Sequence, residues 1–471
     1  MSLPTEIIDH ILSFLQDDAN SLHICAEASS LMNSLIERHL YAHIILLPRE
    51  TADNYNNHHV GLNRLQLATL LKTHPHIAHY IKSIQAVVMP TDLRRWTSAL
   101  RPSYPKRDKT ELSKPPYLPS LKNLTLNLAS SIRSREVKWN LLPSPLRAYL
   151  KRIIILPSME DITIQGIQDF PLQVLNGCPK LNRLALDGGC CTNSRDEAAL
   201  PSGQDERLER ARVRHLQVRR GLTKMHEIAS WFAQDPHDSA QGIPDLSHLH
   251  SLDFGLGIEE FTLFAQILNV CSRTLEDITL EIDKSFSTTY RAHRSLSNPA
   301  ATNLASLHNS PDVPYSLPSL INIKNLHIYI RLVSRASKSQ SDGRIQKREY
   351  ESPVPFISRI IEEIYDKRTS FALKNITINL SLIRTDSQSP TLAEIDFTAL
   401  ANIPLPGSSI RSCLLCQAYL RPHVATLVIS VETYGYIVGG RQLQTDVERN
   451  QSLRPLMNEG KVSVKFIEAG Q

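Results

Sequence analysis

Glycine is scarce in this chain of 471 residues, which contains only 17 glycines but 28 prolines. That combination disfavours nucleotide-binding folds, which depend on glycine-rich turns, and favours many short elements joined by loops. No apolar run approaches the roughly 18 residues that cross a bilayer. The longest runs, such as residues 153–156, have the length of a strand. We therefore expect no membrane segment.

Neither sign of charge is in large excess, because 52 lysines and arginines are balanced by 47 aspartates and glutamates. A nucleic-acid-binding domain would concentrate its basic residues on one face. Here they are spread along the chain, and the arginines of residues 207–220 follow Glu206 and include Glu209 among them, a mixture that is typical of a solvated face. We therefore expect no nucleic-acid partner.

Cysteine is also rare and irregularly placed. The seven thiols are Cys25, Cys178, Cys190, Cys191, Cys271, Cys413 and Cys416. The start of the chain, MSLPTEIIDH, has acidic residues where a secretory signal would carry positive charge. An odd number of cysteines without such a signal predicts reduced thiols and a cytoplasmic or nuclear protein, or both.

Histidine pairs give little support for a metal site. His39 and His43 are four residues apart on a predicted helix, but they lack the adjacent glutamate of zinc peptidases. His74, His76 and His79 could form a shallow metal cluster, although surface histidines are the favoured interpretation.

The remaining motifs give little support for a catalytic or cofactor site. Cys413 and Cys416 have only His423 nearby, whereas a zinc site needs four ligands, so buried thiols are favoured. Residues 435–440 lack the lysine and the glycine order of a phosphate loop. We predict no catalytic residue, no metal and no cofactor, and an enzyme is the least favoured class.

The N-terminal segment predicts three short helices. Pro4 suits the start of the first helix, because its missing N–H would be unpaired there. A second helix can begin near residue 20, and a third would hold Leu31, Leu35, Ile36 and Leu40 and end near residues 41–44. Three helices in about 45 residues form too small a core to be stable alone, so we expect them to pack on a neighbour or a partner. The apolar side chains of the first helix recur at three- and four-residue spacing: Ile7, Ile8, Ile11, Leu12, Phe14 and Leu15.

From residue 118 onward, an apolar-x-x-apolar-x-apolar pattern recurs. The last two apolar positions alternate as in a half-buried strand. The short pattern alone should occur about ten times by chance. The stronger signals are a preceding Leu-Pro or Cys-Pro in the copies that begin at Leu121, Met159 and Leu181, and helical patterns such as 222–232 and 261–268. The copies are irregularly spaced, so they predict a degenerate leucine-rich array with loop insertions at 284–316 and 334–352.

The N-terminal residues resemble a known family. The sequence LPTEIIDHILSFLQDD at residues 3–18 closely resembles the opening of an F-box domain, and residues 21–29 resemble its second helix. Residues 70–84 resemble a segment that follows the F-box in many fungal proteins. The third helix of these domains usually carries Ser-Arg-x-Trp, whereas residues 29–33 here contain no tryptophan.

The resemblance implies a non-catalytic substrate receptor. F-box domains bind the Skp-type adaptor of cullin-based SCF ubiquitin ligases, and the domain that follows recruits a protein substrate. For each adaptor-binding residue, the alternative is a place in the core of the helices themselves. The residues that the resemblance assigns to adaptor contact are Leu3, Pro4, Ile7, Ile8, Ile11 and Leu12.

The predicted fold is α+β or α/β, with a small N-terminal three-helix F-box followed by an irregular leucine-rich-repeat-like solenoid. The predicted domains are an F-box-like helical domain at 1–45, a helical linker and solenoid cap at 46–117, and a leucine-rich-repeat-like domain at 118–471. The alternative function is a free-standing scaffold or protein-interaction module whose F-box-like helices only cap the solenoid. The missing tryptophan motivates that alternative, which would bury the apolar stripe of the first helix within the chain.

Overall fold

A computed structural model describes eighteen stretches of the chain. They form two compact units, Met1–Asp245 and Leu246–Gln471. The described residues are 3–15, 18–47, 60–62, 64–87, 118–127, 137–142, 144–187, 191–192, 211–219, 245–256, 261–282, 318, 320–333, 375–384, 425–433, 445, 448–458 and 462–467.

The first unit opens with three short helices, α1 Thr5–Ser13, α2 Ala19–Ala26 and α3 Ser30–Leu40. Side-chain caps define where α2 and α3 begin. Asp18 accepts a hydrogen bond from the Ser21 N–H at 3.1 Å, and Ser29 accepts one from the Met32 N–H at 3.1 Å. These caps satisfy amide groups that have no partner within the helix.

Among its described residues, the first unit has two further α-helices, α4 Arg64–Thr73 and α5 Ser144–Ile154. The described 3-10 helices span Pro75–His79, Trp139–Leu141 and Leu172–Gly177.

The first unit contains eleven short strands among its described residues. Seven of them form one parallel sheet in the order β11-β9-β6-β4-β3-β1-β2. The others form two small parallel pairs, β5 with β7 and β8 with β10. The strands are β1 His43–Leu46, β2 Val60–Leu62, β3 Ser83–Val87, β4 Asn123–Asn127, β5 Val137–Lys138, β6 Asp161–Gln165, β7 Ile167–Gln168, β8 Phe170–Pro171, β9 Arg183–Asp187, β10 Cys191–Thr192 and β11 His215–Val218.

Apolar and polar residues alternate along these strands, so the sheet has one mainly apolar and one mainly polar face. Side chains two residues apart lie on the same face, and the parallel register aligns them from strand to strand. Two rows of buried aliphatic side chains result. One row is Ile44, Ile84, Leu124, Ile162, Leu184 and Leu216, and the other is Leu46, Ala86, Leu126, Ile164, Leu186 and Val218.

The described residues of the second unit have the same plan, with six parallel strands in sequence order. Phe254 on the first of these strands packs on Phe264 of α6, with ring centroids 5.2 Å apart. The buried rows here are Leu252, Ile278, Leu326 and Ile376, and Phe254, Leu280, Ile328 and Ile378. The elements are β12 Ser251–Leu256, α6 Phe261–Cys271, β13 Asp277–Ile282, β14 Asn325–Val333, β15 Asn375–Arg384, β16 Ala425–Thr433, α7 Leu453–Asn458 and β17 Val462–Ile467.

The predicted architecture, a three-helix F-box followed by a leucine-rich-repeat-like solenoid, is wrong. The structure has an α/β fold dominated by parallel strands, with few helices. The prediction interpreted the recurring apolar pattern as a leucine-rich array with intervening helices such as 222–232 and 261–268. Among the described residues, helices lie in only some of the intervals between consecutive strands. The N-terminal helices also belong to the same compact unit as the first sheet.

Several sequence predictions lie outside the described residues. They include the helix at 222–232, the insertions at 284–316 and 334–352, Cys190, Cys413, Cys416, His423 and the glycines of 435–440. The domain bounds at 45 and 117 stay predictions. Among the helices that are described, none is long and apolar enough to cross a bilayer.

Gly177, the last residue of a 3-10 helix, lies against the side chain of Ile155. A Cβ added at Gly177 would lie 2.8 Å from Ile155 Cγ2. We expect Gly177→Ala to lower the free energy of unfolding by about 1–3 kcal/mol, because overpacking forces neighbouring groups to shift. Urea denaturation would measure this loss. In an Ile155→Ala background the same substitution should cost much less, and an equal cost in both backgrounds would contradict the steric explanation.

Candidate functional site

The three N-terminal helices enclose a small core of their own. Leu12 of α1, Leu22 of α2, and Leu35 and Ile36 of α3 are all at most 3% exposed. Since each helix contributes at least one of these side chains, the core fixes the mutual arrangement of the helices. Partly buried apolar side chains complete it, namely Ile8, Leu15, Cys25, Ala26, Met32 and Leu40.

The opposite side of α1 carries large apolar side chains that the chain leaves open to solvent. Leu3 is 58% exposed, Ile7 47%, Ile11 50% and Phe14 75%. Ile7, Ile11 and Phe14 follow one another at spacings of four and three residues, so they lie on one face of the helix. We call Leu3, Ile7, Ile11 and Phe14 the α1 stripe.

The six residues assigned to adaptor contact divide between the two sides of α1. Leu3, Ile7 and Ile11 belong to the α1 stripe, and Pro4 is exposed beside them at the helix N-cap. Ile8 is half-buried against the helical core, and Leu12 lies within that core at 1% exposure. The six are therefore not one surface in this structure, since Leu12 faces α2 and α3.

Three exposed apolar residues of these helices were not assigned to adaptor contact. Phe14 is the last residue of the α1 stripe. Its position three residues after Ile11 was a sequence signal that could have identified it as part of the same surface. Ile24 of α2 and Leu31 of α3 are also exposed, by 70% and 50%. Nothing in their local sequence distinguishes them from core positions.

Polar pairs connect α1 to α3, and α3 to the segment after α4. His39 Nε2 of α3 lies 2.9 Å from Asp9 Oδ1 of α1. Glu37 Oε2 of α3 lies 3.2 Å from His76 Nε2 in the 3-10 helix Pro75–His79. The described residues contain no group of three or more side chains suited to holding a metal ion. These histidines are thus engaged in packing the first unit together.

Around the end of α3 the same region carries further polar and aromatic contacts. The Arg38 guanidinium lies 5.8 Å from the centre of the Tyr80 ring, within the range of a cation–π contact. Burial raises the pKa of Tyr41, and the nearby Glu37 carboxylate raises it further. Tyr41 therefore stays protonated and uncharged at neutral pH.

The polar face of the first unit's sheet is the second surface that could contact a partner. Its charged positions are mixed in sign, since Asp161 lies opposite Arg183 in the register and Asp187 lies at the other end of the same strand as Arg183. Burial raises the pKa of Asp161, while the Arg183 guanidinium acts in the opposite direction. Mixed charges of this kind indicate no single class of ligand.

Comparison with protein families and with curated proteins identified no relative of this chain. No protein-family model matches the chain, and a search of curated proteins found no match. The functional interpretation therefore depends on the residues themselves, above all on the α1 stripe.

The two sides of α1 should respond differently to truncation. We expect Leu12→Ala to lower the free energy of unfolding by about 2–5 kcal/mol, because it opens a cavity in the helical core. Ile7→Ala removes an exposed side chain and should change that free energy by less than about 0.5 kcal/mol. Chemical denaturation of both variants would test this contrast. A large loss for Ile7→Ala would mean that the chain covers the α1 stripe.

The buried thiols should be unreactive in the folded chain. Burial raises the pKa of Cys178 to about 12 and that of Cys271 to about 12. Alkylation requires the thiolate, so at pH 8 we expect iodoacetamide to modify half-buried Cys25 but neither of these two. Peptide mass mapping before and after unfolding in urea would measure it. Equal labelling of Cys178 and Cys25 in the native state would contradict the expectation.

Proposed function

We propose that this chain is a non-catalytic substrate-recognition subunit of an SCF-type, cullin-based ubiquitin ligase. In this proposal, α1 holds a Skp-type adaptor through the α1 stripe, and the parallel sheets hold a protein substrate. The single observation that carries the proposal is the exposure of the α1 stripe. The resemblance of residues 3–18 to the opening of an F-box supplies the identity of the partner.

The α1 stripe has the chemistry of a protein-binding surface. Isolated exposed apolar side chains are common, but Ile7, Ile11 and Phe14 at helical spacing, with Leu3 just before the helix, are typical of an interaction site. About half the area of Leu3, Ile7 and Ile11 is exposed. Covering it would contribute roughly 1 kcal/mol for each side chain, since full burial is worth about 1.5–3 kcal/mol. An amphipathic helix of this kind typically binds in an apolar groove.

The stripe is open although the helices already have a core. Leu12 and its neighbours on α2 and α3 satisfy the inner side of α1, so the outer side is not needed for folding. The pair between Asp9 and His39 also ties α1 to α3 at 2.9 Å. A partner would therefore meet a helix whose position is already fixed, which reduces the entropy lost on binding.

The scaffold alternative receives less support from the same geometry. It requires the apolar stripe of α1 to be buried within the chain, where it would cap the structure that follows. Leu3, Ile7 and Ile11 instead remain between 47% and 58% exposed. The exposure of these residues therefore favours a partner-binding role.

A capture experiment with the purified adaptor tests the proposal. We expect Leu3→Asp combined with Ile7→Asp to abolish capture of a Skp-type adaptor, because two carboxylates would have to be buried in the apolar contact. Size-exclusion chromatography of the full-length chain with the adaptor would measure complex formation. Both substitutions are at exposed positions, so the variant should unfold at the same urea concentration as the wild type.

The matched control places the same change at exposed apolar positions away from α1. Leu141 is 67% exposed and Ile321 is 42% exposed. Leu141→Asp combined with Ile321→Asp should leave adaptor capture unchanged. Equal capture by the stripe variant and the wild type would refute the proposal, as would the absence of capture by the wild type.

A further inference from the structure

The first helix has two apolar sides of nearly equal composition. The inner side packs into the helical core and consists of Ile8, Leu12 and Leu15. The outer side belongs to the α1 stripe and consists of Ile7, Ile11 and Phe14. Each outer residue precedes an inner residue by one position, so both sets have the same spacing of four and then three residues. Since one residue corresponds to a turn of about 100°, a rotation of α1 by one residue would exchange the two sides.

Apolar burial alone distinguishes these two arrangements weakly. The free energy of burial follows the apolar area removed from water, and the two sets of side chains are similar in size and hydrophobicity. Cores also tolerate exchanges between apolar side chains of similar volume. A rotation in the opposite direction is different, because it would bring the carboxylate of Asp9 and the hydroxyl of Ser13 to the inner side. Only the exchange of the two apolar sides therefore has to be prevented by a further interaction.

His39 of α3 lies at the edge of the helical core. It follows Leu35 by four residues and Ile36 by three, so it shares one face of α3 with these two buried side chains. The His39 side chain is only 16% exposed, and its Nε2 lies 2.9 Å from Asp9 Oδ1 of α1. Because an ionised carboxylate can only accept, Nε2 donates this hydrogen bond. The partner of this largely buried imidazole therefore comes from α1.

The exchange of the two sides would remove that partner. If Ile7 took the place of Ile8, then Ile8 would take the place of Asp9 beside His39. The imidazole would then face an aliphatic side chain and would have no acceptor from α1. Leaving a largely buried donor without an acceptor costs the desolvation free energy of that group. The hydrogen bond between Asp9 and His39 therefore distinguishes two arrangements that apolar burial leaves nearly equal.

We propose that the pair of Asp9 and His39 sets the rotation of α1 about its axis and so keeps the α1 stripe at the surface. Asp9 is two residues from both Ile7 and Ile11, a turn of about 200°, so it lies on nearly the opposite side of α1 from the stripe. Asp9 and His39 are thus positioning residues that act through α1. The inference rests on the proposed function only for naming the adaptor as the partner of the stripe.

Cysteine reporters on the two sides of α1 test this proposal. The full-length chain carries either Ile11→Cys or Leu12→Cys, and peptide mass mapping measures the rate of iodoacetamide labelling at pH 8. With Asp9 intact, we expect fast labelling in the Ile11→Cys chain and slow labelling in the Leu12→Cys chain. Adding Asp9→Ala should slow the first reaction and accelerate the second about tenfold, a change that corresponds to about 1.4 kcal/mol between the two arrangements.

Two further variants control for a general loss of structure. Asp9→Asn keeps an acceptor oxygen at the same place, so both labelling rates should match those of the chain with Asp9. His39→Leu places an apolar side chain at the edge of the core, where it can face Ile8, and should change the two rates in the same opposite directions as Asp9→Ala. Faster labelling at both positions would mean that the pair only anchors α1. Unchanged rates would mean that packing alone sets the rotation, and either result would overturn the proposal.

The outcome is separable from that of the adaptor experiment, because labelling requires no partner. Asp9→Ala should also weaken capture of the Skp-type adaptor, whereas Asp9→Asn should not. Failure of capture by the wild-type chain would remove the proposed function and leave the labelling result standing. Unchanged labelling rates, together with capture that the wild type shows and the variant Leu3→Asp with Ile7→Asp loses, would overturn only the role of Asp9 and His39.

Discussion

Rows of buried aliphatic side chains, aligned in register across parallel strands, are the interaction on which both units depend. Leu124, Ile162 and Leu184 illustrate it, since they occupy one row and are each at most 1% exposed. Because side chains alternate between the two faces, a slip of one residue would move a whole strand's apolar set to the polar face. Each buried aliphatic side chain is worth about 1.5–3 kcal/mol, so the rows specify the register strongly.

A short connection and one polar pair attach the N-terminal helices to the first unit's sheet region. Only two residues separate the end of α3 at Leu40 from the start of β1 at His43, so the position of α3 is set by the first strand of the sheet. The Glu37 and His76 pair adds a second connection, from α3 to the segment that precedes β3. The helices are thus anchored through α3, and the outer face of α1 stays uncovered.

The sequence predicted the positions of the strands better than it predicted how the strands are arranged. The alternation at Leu124 and Leu126 correctly predicted buried strand positions, and the pattern at 261–268 correctly predicted a helix. Strand pairing joins residues tens of positions apart, which periodicity cannot report, so the solenoid prediction failed. The apolar residues of α1 are distributed so widely around the helix that the sequence pattern includes both its inner and its outer side. Only the placement of α2 and α3 decides that Leu12 faces inward and Ile11 outward.

In both units, the buried positions and the polar positions of a strand are subject to different constraints. Leu252 and Ile278 in the second unit are as fully enclosed as Leu124 and Ile162 in the first, so a change at any of them disturbs packing. Residues on the polar face are less constrained by packing, so their charges can differ between the units while the strand register stays the same. Where packing does not determine which residue occupies a position, contact with a partner can determine it. The apolar rows therefore specify how the strands pair, and the polar faces are where the two units can differ without a cost in packing.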